Sequence, residues 1–177
     1  SDAATTLVVL NRLWGAGLGR PALQSLGARL GADVPFFVFG RNAWVEGVGD
    51  RLTPLELPPA WYLVLVPPVA VPTGEIFASP ELTRDTEALK MEDFSLAHDG
   101  RGRFRNDLEA VVAARYPAVR EHLDWLASHG GGRLTGSGAC VFARFEDRAS
   151  AERVLGEIPP PMQGFVARGL EEHPLRG

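Results

Sequence analysis

One cysteine, Cys140, and one lysine, Lys90, stand among the 177 residues. A lone cysteine closes no internal disulfide, so the chain has to be held by its core, as suits a reducing, cytoplasmic setting. A mechanism that needs a lysine has to use Lys90 or take one from elsewhere. Methionine is nearly as scarce: the chain opens Ser1-Asp2-Ala3-Ala4, with Met91 and Met162 its only methionines, and so reads as a processed chain or a piece of a longer one. No charge predominates, since 18 basic residues face 22 acidic ones. A net charge of -4 supplies no field for a polyanion, and no nucleic-acid partner is expected. Long apolar runs are missing too. Trp61 to Pro72 is broken by Pro67, Pro68 and Pro72 and is shorter than the roughly 20 residues a membrane helix needs. Residues 1 to 14 have neither the basic start nor the apolar centre of a secretory signal, so no membrane association is expected. His98, His122, His129 and His173 have no metal-ligand spacing to one another or to Cys140.

What is present is an ordinary globular composition, 45% hydrophobic and 23% charged. Chains of this length bury roughly 70% of their extended surface without a metal staple. Ala3, Leu7, Leu10 and Trp14 recur at helical spacing before Gly15 and Gly17, with Ser1 and Asp2 as candidate caps. Pro21 suits the first turn of a second helix whose face is Leu23, Leu26 and Leu30, stopped by Gly31. Ala43-Trp44-Val45 and Arg51-Leu52-Thr53 flank Gly47-Val48-Gly49-Asp50 as a hairpin. Pro58-Pro59 marks a candidate boundary between residues 1–57 and 58–177.

Beyond it, Trp61 to Val66 reads as a buried strand and Asn106 to Arg115 as a helix with Leu108, Val111 and Val112 inward. A helix over Ala118 to Ser128 follows Pro117, with Val119, Leu123 and Leu126 inward. Arg133-Leu134-Thr135, a glycine turn, the strand Cys140 to Phe145, a short helix over Ala149 to Leu155 and the strand Phe165 to Ala167 complete the pattern. The order strand, helix, strand, strand, helix, strand is the split βαβ, ferredoxin-like arrangement, an α+β fold. Residues 83 to 105 show no period and read as a surface excursion.

Three segments carry possible chemistry. In Gly31-Ala32-Asp33-Val34-Pro35-Phe36-Phe37 a carboxylate precedes an apolar run, a setting for a general base or equally for a turn beside Pro35. In Thr135-Gly136-Ser137-Gly138-Ala139 alternating glycines let backbone N–H groups approach an anion, and a tight turn with Ser137 at its tip accounts for the same residues. Ser1-Asp2, at a helix start, favours phosphate or simply caps. Arg101, Arg103 and Arg105 read as a solvated edge that a substrate phosphate could use.

In order, Ser1-Asp2-Ala3-Ala4-Thr5, Leu30-Gly31-Ala32-Asp33-Val34-Pro35-Phe36, Glu46-Gly47-Val48-Gly49-Asp50, Asn106-Asp107-Leu108-Glu109 and Arg133-Leu134-Thr135-Gly136-Ser137-Gly138-Ala139-Cys140-Val141-Phe142 resemble the 4-diphosphocytidyl-2-C-methyl-D-erythritol kinase family of the GHMP superfamily. Residues 83 to 105 stand outside the resemblance. It implies a two-domain fold: residues 1–57 would end an ATP-binding domain of the ribosomal S5 domain 2-like kind, and 58–177 would form the ferredoxin-like C-terminal domain. It implies ATP and Mg2+ as cofactors and a small-molecule substrate, a cytidine diphosphate-linked methylerythritol. Asp33 is then the catalytic base. Ser1 and Asp2 lie by the nucleotide phosphates, with Ser1 also by the metal, and Gly136, Ser137 and Gly138 pack against the phosphate loop. Thr73 meets the bound sugar and Phe77 stacks on the cytosine; from the residues alone, Phe77 equally fits a core contact of a short helix. The family's lysine and phosphate loop have no counterpart in these residues, and Lys90 is not that lysine, so the chain alone is expected to be inactive. Another GHMP kinase, or a non-catalytic ferredoxin-like ligand-binding module, are the competing readings.

Overall fold

A computed structural model describes residues 1–89, 91, 105–174 and 176, which form two compact units, Ser1–Pro59 with Leu170–Gly177, and Ala60–Gly169. Lys90, His98, Arg101 and Arg103 lie outside the described residues. The sequence reading runs the second domain to residue 177. In the structure the C-terminal segment groups with the first unit: Asn42 N donates to Glu171 O (3.3 Å), His173 N donates to Gly40 O (2.8 Å), and Arg41 bridges Glu172 in antiparallel fashion.

The first unit holds α1 (Asp2–Leu13), α2 (Arg20–Ala28), α3 (Val34–Phe39) and the hairpin β1 (Ala43–Glu46) to β2 (Arg51–Pro54). The hairpin pairs Ala43 with Pro54 through Glu46 with Arg51, as the glycine turn implies. Its small core is Ala4, Leu23, Val34 and Val38. The inward face of α1 is Ala3, Ala4, Leu7 and Val8, whereas Trp14 is 75% exposed because the helix ends at Leu13 and the indole sits on the C-cap. In α2 the buried positions are Leu23 and Gly27, so Leu26 lies off the inward face, and the helix stops at Ala28, which leaves Leu30 beyond it; both leucines are exposed. Gly27 is where α3 approaches: a Cβ there would stand 2.9 Å from Val34 Cγ1. Sequence periodicity finds large apolar residues and passes over a glycine used for close packing.

The second unit contains β3 (Trp61–Leu65), α4 (Thr73–Phe77), α5 (Asp107–Arg115), α6 (Pro117–Ala127), β4 (Arg133–Leu134), β5 (Val141–Phe145), α7 (Arg148–Leu155) and β6 (Gly164–Arg168). Its sheet has the order β4-β5-β3-β6 with every pairing antiparallel. Here the expected ferredoxin-like arrangement is realised. Leu63, Leu65, Val141, Ala143 and Leu134 from the strands meet Val111, Val112, Val119, Leu123, Leu126 and Val154 from the helices in one buried cluster. Each Leu or Val wholly removed from water stabilises the fold by about 1.5–3 kcal/mol. The run Trp61 to Val66 is buried only at alternate positions: Leu63 and Leu65 are inward, while Tyr62 and Val64 are half-buried. An antiparallel sheet covered on one face alternates in this way, even where the sequence is apolar throughout. Cys140 precedes β5 and is half-buried.

Candidate functional site

The best-defined polar constellation lies in the second unit, around the turn Thr135–Ala139. Gly138 N donates to Thr135 O (2.9 Å) and Thr135 N donates to Cys140 O (3.0 Å), closing a tight turn at the mouth of β4 and β5. Gly136 and Gly138 have φ of +53° and +92°. Only glycine takes such angles at little cost. Ser137 therefore sits at the tip, as the sequence indicates, and its hydroxyl lies 2.7 Å from that of Thr73 on α4. Thr73 and Ser137, separated by 64 residues in sequence, come together here.

α4 begins after Pro72 and buries Ile76 completely, which anchors the short helix to the core. Phe77 is 53% exposed, so the core-contact role belongs to its neighbour. The chain just beyond α4 is held firmly. Arg84 Nη2 donates to Phe77 O (2.6 Å) and Ser79 O (3.3 Å), while Arg115 Nη2 donates to the buried Ser79 Oγ (2.7 Å) and pairs with Glu81 (3.4 Å). Arg105, read as a solvated edge, pairs with Asp107 at 2.9 Å and donates to Thr86 Oγ1 at 2.9 Å.

Ser1, Asp2 and Asp33 belong to the first unit. Asp33 is exposed at the N-cap of α3 and makes no side-chain capping bond; Pro35 in the first turn removes one of the N–H groups a cap would serve. Ser1 does not cap α1 with its side chain, contrary to the sequence expectation: its hydroxyl donates to Asp2 Oδ1 (3.3 Å), and both residues are exposed. Ala4 and Val34 share one core cluster, so α1 and α3 carry Ser1 and Asp33 on a common support. Sequence reasoning left Asn106 and Glu109 without a role, yet Asn106 bonds Gly136 in the glycine turn and Glu109 bonds Leu134 just before it. The Asn-x-x-Glu spacing at a helix start was the available signal, in its usual meaning of a capping pair.

Among the described residues no three His, Cys, Asp or Glu side chains gather to hold a metal, and no helix is long and apolar enough to cross a membrane.

This sheet order, with its helices packed on one face, is the fold of the C-terminal domain of GHMP kinases, and residues 85–160 match the family model for GHMP kinases C terminal. Along its whole length the chain is similar to 4-diphosphocytidyl-2-C-methyl-D-erythritol kinases. The protein of that name from Aromatoleum aromaticum is 55% identical over 100% of this chain and 61% of the relative. The one from Thiobacillus denitrificans is 59% identical over 99% and 61%. A crystal structure of 4-(cytidine 5'-diphospho)-2C-methyl-D-erythritol kinase superposes with a TM-score of 0.76 at 32% identity, covering 94% of this chain and 63% of that one. The chain thus spans about three fifths of the length of the curated relatives it matches. Of the excursion 83 to 105, residues 85 to 105 fall within the likeness, since the family model begins matching at residue 85.

Proposed function

We propose that this chain carries part of an ATP-dependent small-molecule kinase acting on the 2-hydroxyl of 4-diphosphocytidyl-2-C-methyl-D-erythritol, in the cytoplasm, on the non-mevalonate route to isoprenoid precursors. The observation that most supports this reading is the 2.7 Å contact between Thr73 and Ser137, which joins a substrate-side helix to a phosphate-side turn within one unit. In the reaction the substrate oxygen attacks the γ-phosphorus, its proton passes to Asp33, and the bond to ADP breaks. Phosphoryl transfer asks little covalent work of a protein beyond positioning and charge neutralisation. Asp33 suits the task of base because its carboxylate is exposed and not engaged as a cap.

Gly136, Ser137 and Gly138 present the turn to the nucleotide side, and Thr73 meets the sugar. Phe77, half out of the core, offers a ring face to cytosine, with its backbone fixed by Arg84. Mg2+, when bound, neutralises charge on the transferred phosphate. It usually keeps waters and phosphate oxygens as most of its ligands, so the exposed hydroxyl of Ser1 would suit it without a protein cage.

The test is Asp33→Asn in a protein that joins this chain to the additional region its longer relatives possess. Turnover is expected to fall about 100-fold or more, the range for loss of a general base, with an unchanged unfolding midpoint. Normal ATP-dependent phosphorylation by that variant would remove Asp33 from the mechanism. Robust phosphorylation by the 177-residue chain alone would overturn the assignment of the remaining site to other residues.

A further inference from the structure

The segment Asn106-Asp107-Leu108-Glu109 has no chemistry of its own in the proposed reaction, yet it makes four hydrogen bonds at one place. Leu108 N donates to Asn106 Oδ1 (3.0 Å), the ordinary cap of α5. The other end of the same amide, Nδ2, donates to Leu134 O (3.1 Å) and to Gly136 O (2.6 Å), one carbonyl just before the glycine turn and one inside it. Glu109, one turn along α5, accepts from Leu134 N (2.7 Å). Asn106 thereby spends its one acceptor on the helix and its amide hydrogens on the turn and the strand residue that leads into it. An amide is the only side chain of this length with that combination of groups.

We infer that Asn106 and Glu109 are positioning residues: they clamp the glycine turn to the N-terminus of α5 and so hold the Ser137 hydroxyl against Thr73. The part of this that concerns ligand binding rests on the proposed function. The physical need is evident, because two glycines at positive φ give the turn conformational freedom that its own two backbone bonds restrain only in part. Leu134, buried at 3% exposure, is the fixed point to which both side chains are tied.

Asn106→Asp separates the clamp from the cap. Aspartate caps a helix as well as asparagine does, but it has no hydrogen to give and would set a carboxylate against two carbonyl oxygens. In the 13C,15N-labelled chain, the Leu108 amide is expected to stay protected while exchange at Thr135 and Gly138 accelerates about tenfold or more. The Cβ resonances of Thr73 and Ser137 should shift with them. Glu109→Gln keeps an acceptor for Leu134 N and is expected to exchange like the parent there; Glu109→Ala is expected to exchange faster.

Titration with cytidine 5'-diphosphate supplies the second arm, with affinity expected to fall about threefold or more in Asn106→Asp, as befits loss of preorganisation. The inference is overturned if Thr135 and Gly138 exchange at the parent rate, if Leu108 loosens in step with them, or if the variant binds cytidine 5'-diphosphate as tightly as a parent that binds it. Failure of the parent to bind would count against the proposed function, while the exchange rates would still decide the clamp.

Discussion

At the scale of single residues, the two turn glycines are not equivalent. A Cβ on Gly136 meets nothing within 4 Å, so Gly136→Ala bears only the cost of a left-handed backbone, about 1–2 kcal/mol. Gly138 is at φ +92°, and its Cβ would stand 3.2 Å from Leu134 Cδ1 and 3.4 Å from Val112 Cγ1, both in the core. Strain and crowding then add, and Gly138→Ala is expected to cost about 2–4 kcal/mol. Chemical denaturation of the two variants should rank them in that order. Equal effects would mean the turn yields rather than the core. Both glycines are plain in the sequence as a pair; only the structure distinguishes the one that faces solvent from the one that faces Leu134.

At the scale of elements, α7 has a cap whose strength depends on acid. Asp147 accepts from Ser150 N and Ser150 Oγ, each at 2.8 Å. Its carboxyl is held below the ordinary value of 3.8, chiefly by the Ser150 N–H, then by the Ser150 hydroxyl, with smaller help from the Ala149 N–H and the charge of Arg153. Because the folded group binds its proton less readily than the unfolded one, the cap contributes fully above the ordinary value and is lost as pH falls through the lower, folded one. The Ser150 amide resonance is therefore expected to titrate with a midpoint below 3.8, and to stay flat in Asp147→Asn, which caps without a charge. A titration near neutrality would refute this.

The contact of α2 with α3 is a second case at this scale. Gly27→Ala raises helix propensity by about 1 kcal/mol, but its Cβ would press on Val34 at 2.9 Å. A net loss of about 1–3 kcal/mol in the first unit is expected by denaturation.

Elements with a clear period were legible: the hairpin, α5, α6 and the order of strands in the second unit all follow from spacing and turn residues. What stayed hidden was what an element is packed against. Leu26 and Leu30 look inward by spacing and are exposed, Gly27 looks neutral and is buried, and Trp61 to Val66 gives no sign of which side the helices cover. The candidate site was half legible for the same reason. Asp33 and the glycine turn stand out by residue type and Thr73 enters only through the family resemblance, but the bonds from Asn106 and Glu109 to Leu134 and Gly136 cross 25 to 30 positions of sequence. No local pattern encodes such a link.

At the scale of the whole molecule, the two units carry very unequal cores. Among the described residues the first buries Ala4, Leu23, Val34 and Val38, and the second has a thirteen-residue cluster that includes Leu63, Leu65 and Leu126. At about 1.5–3 kcal/mol for each large apolar side chain withdrawn from water, the second unit has several times the hydrophobic stabilisation of the first. The first unit also draws on two distant stretches of chain, joined through bonds such as His173 N to Gly40 O. Two denaturation steps are therefore expected, the first unit opening at lower denaturant, and amide exchange by mass spectrometry can assign each step to its residues. Core truncations make the expectation sharp. Leu63→Ala should destabilise the second step by about 2–5 kcal/mol and leave the first in place, whereas Val38→Ala should move only the first. If either variant shifts both steps together, the units unfold as one cooperative body, and the inequality of their cores has no separate meaning for stability.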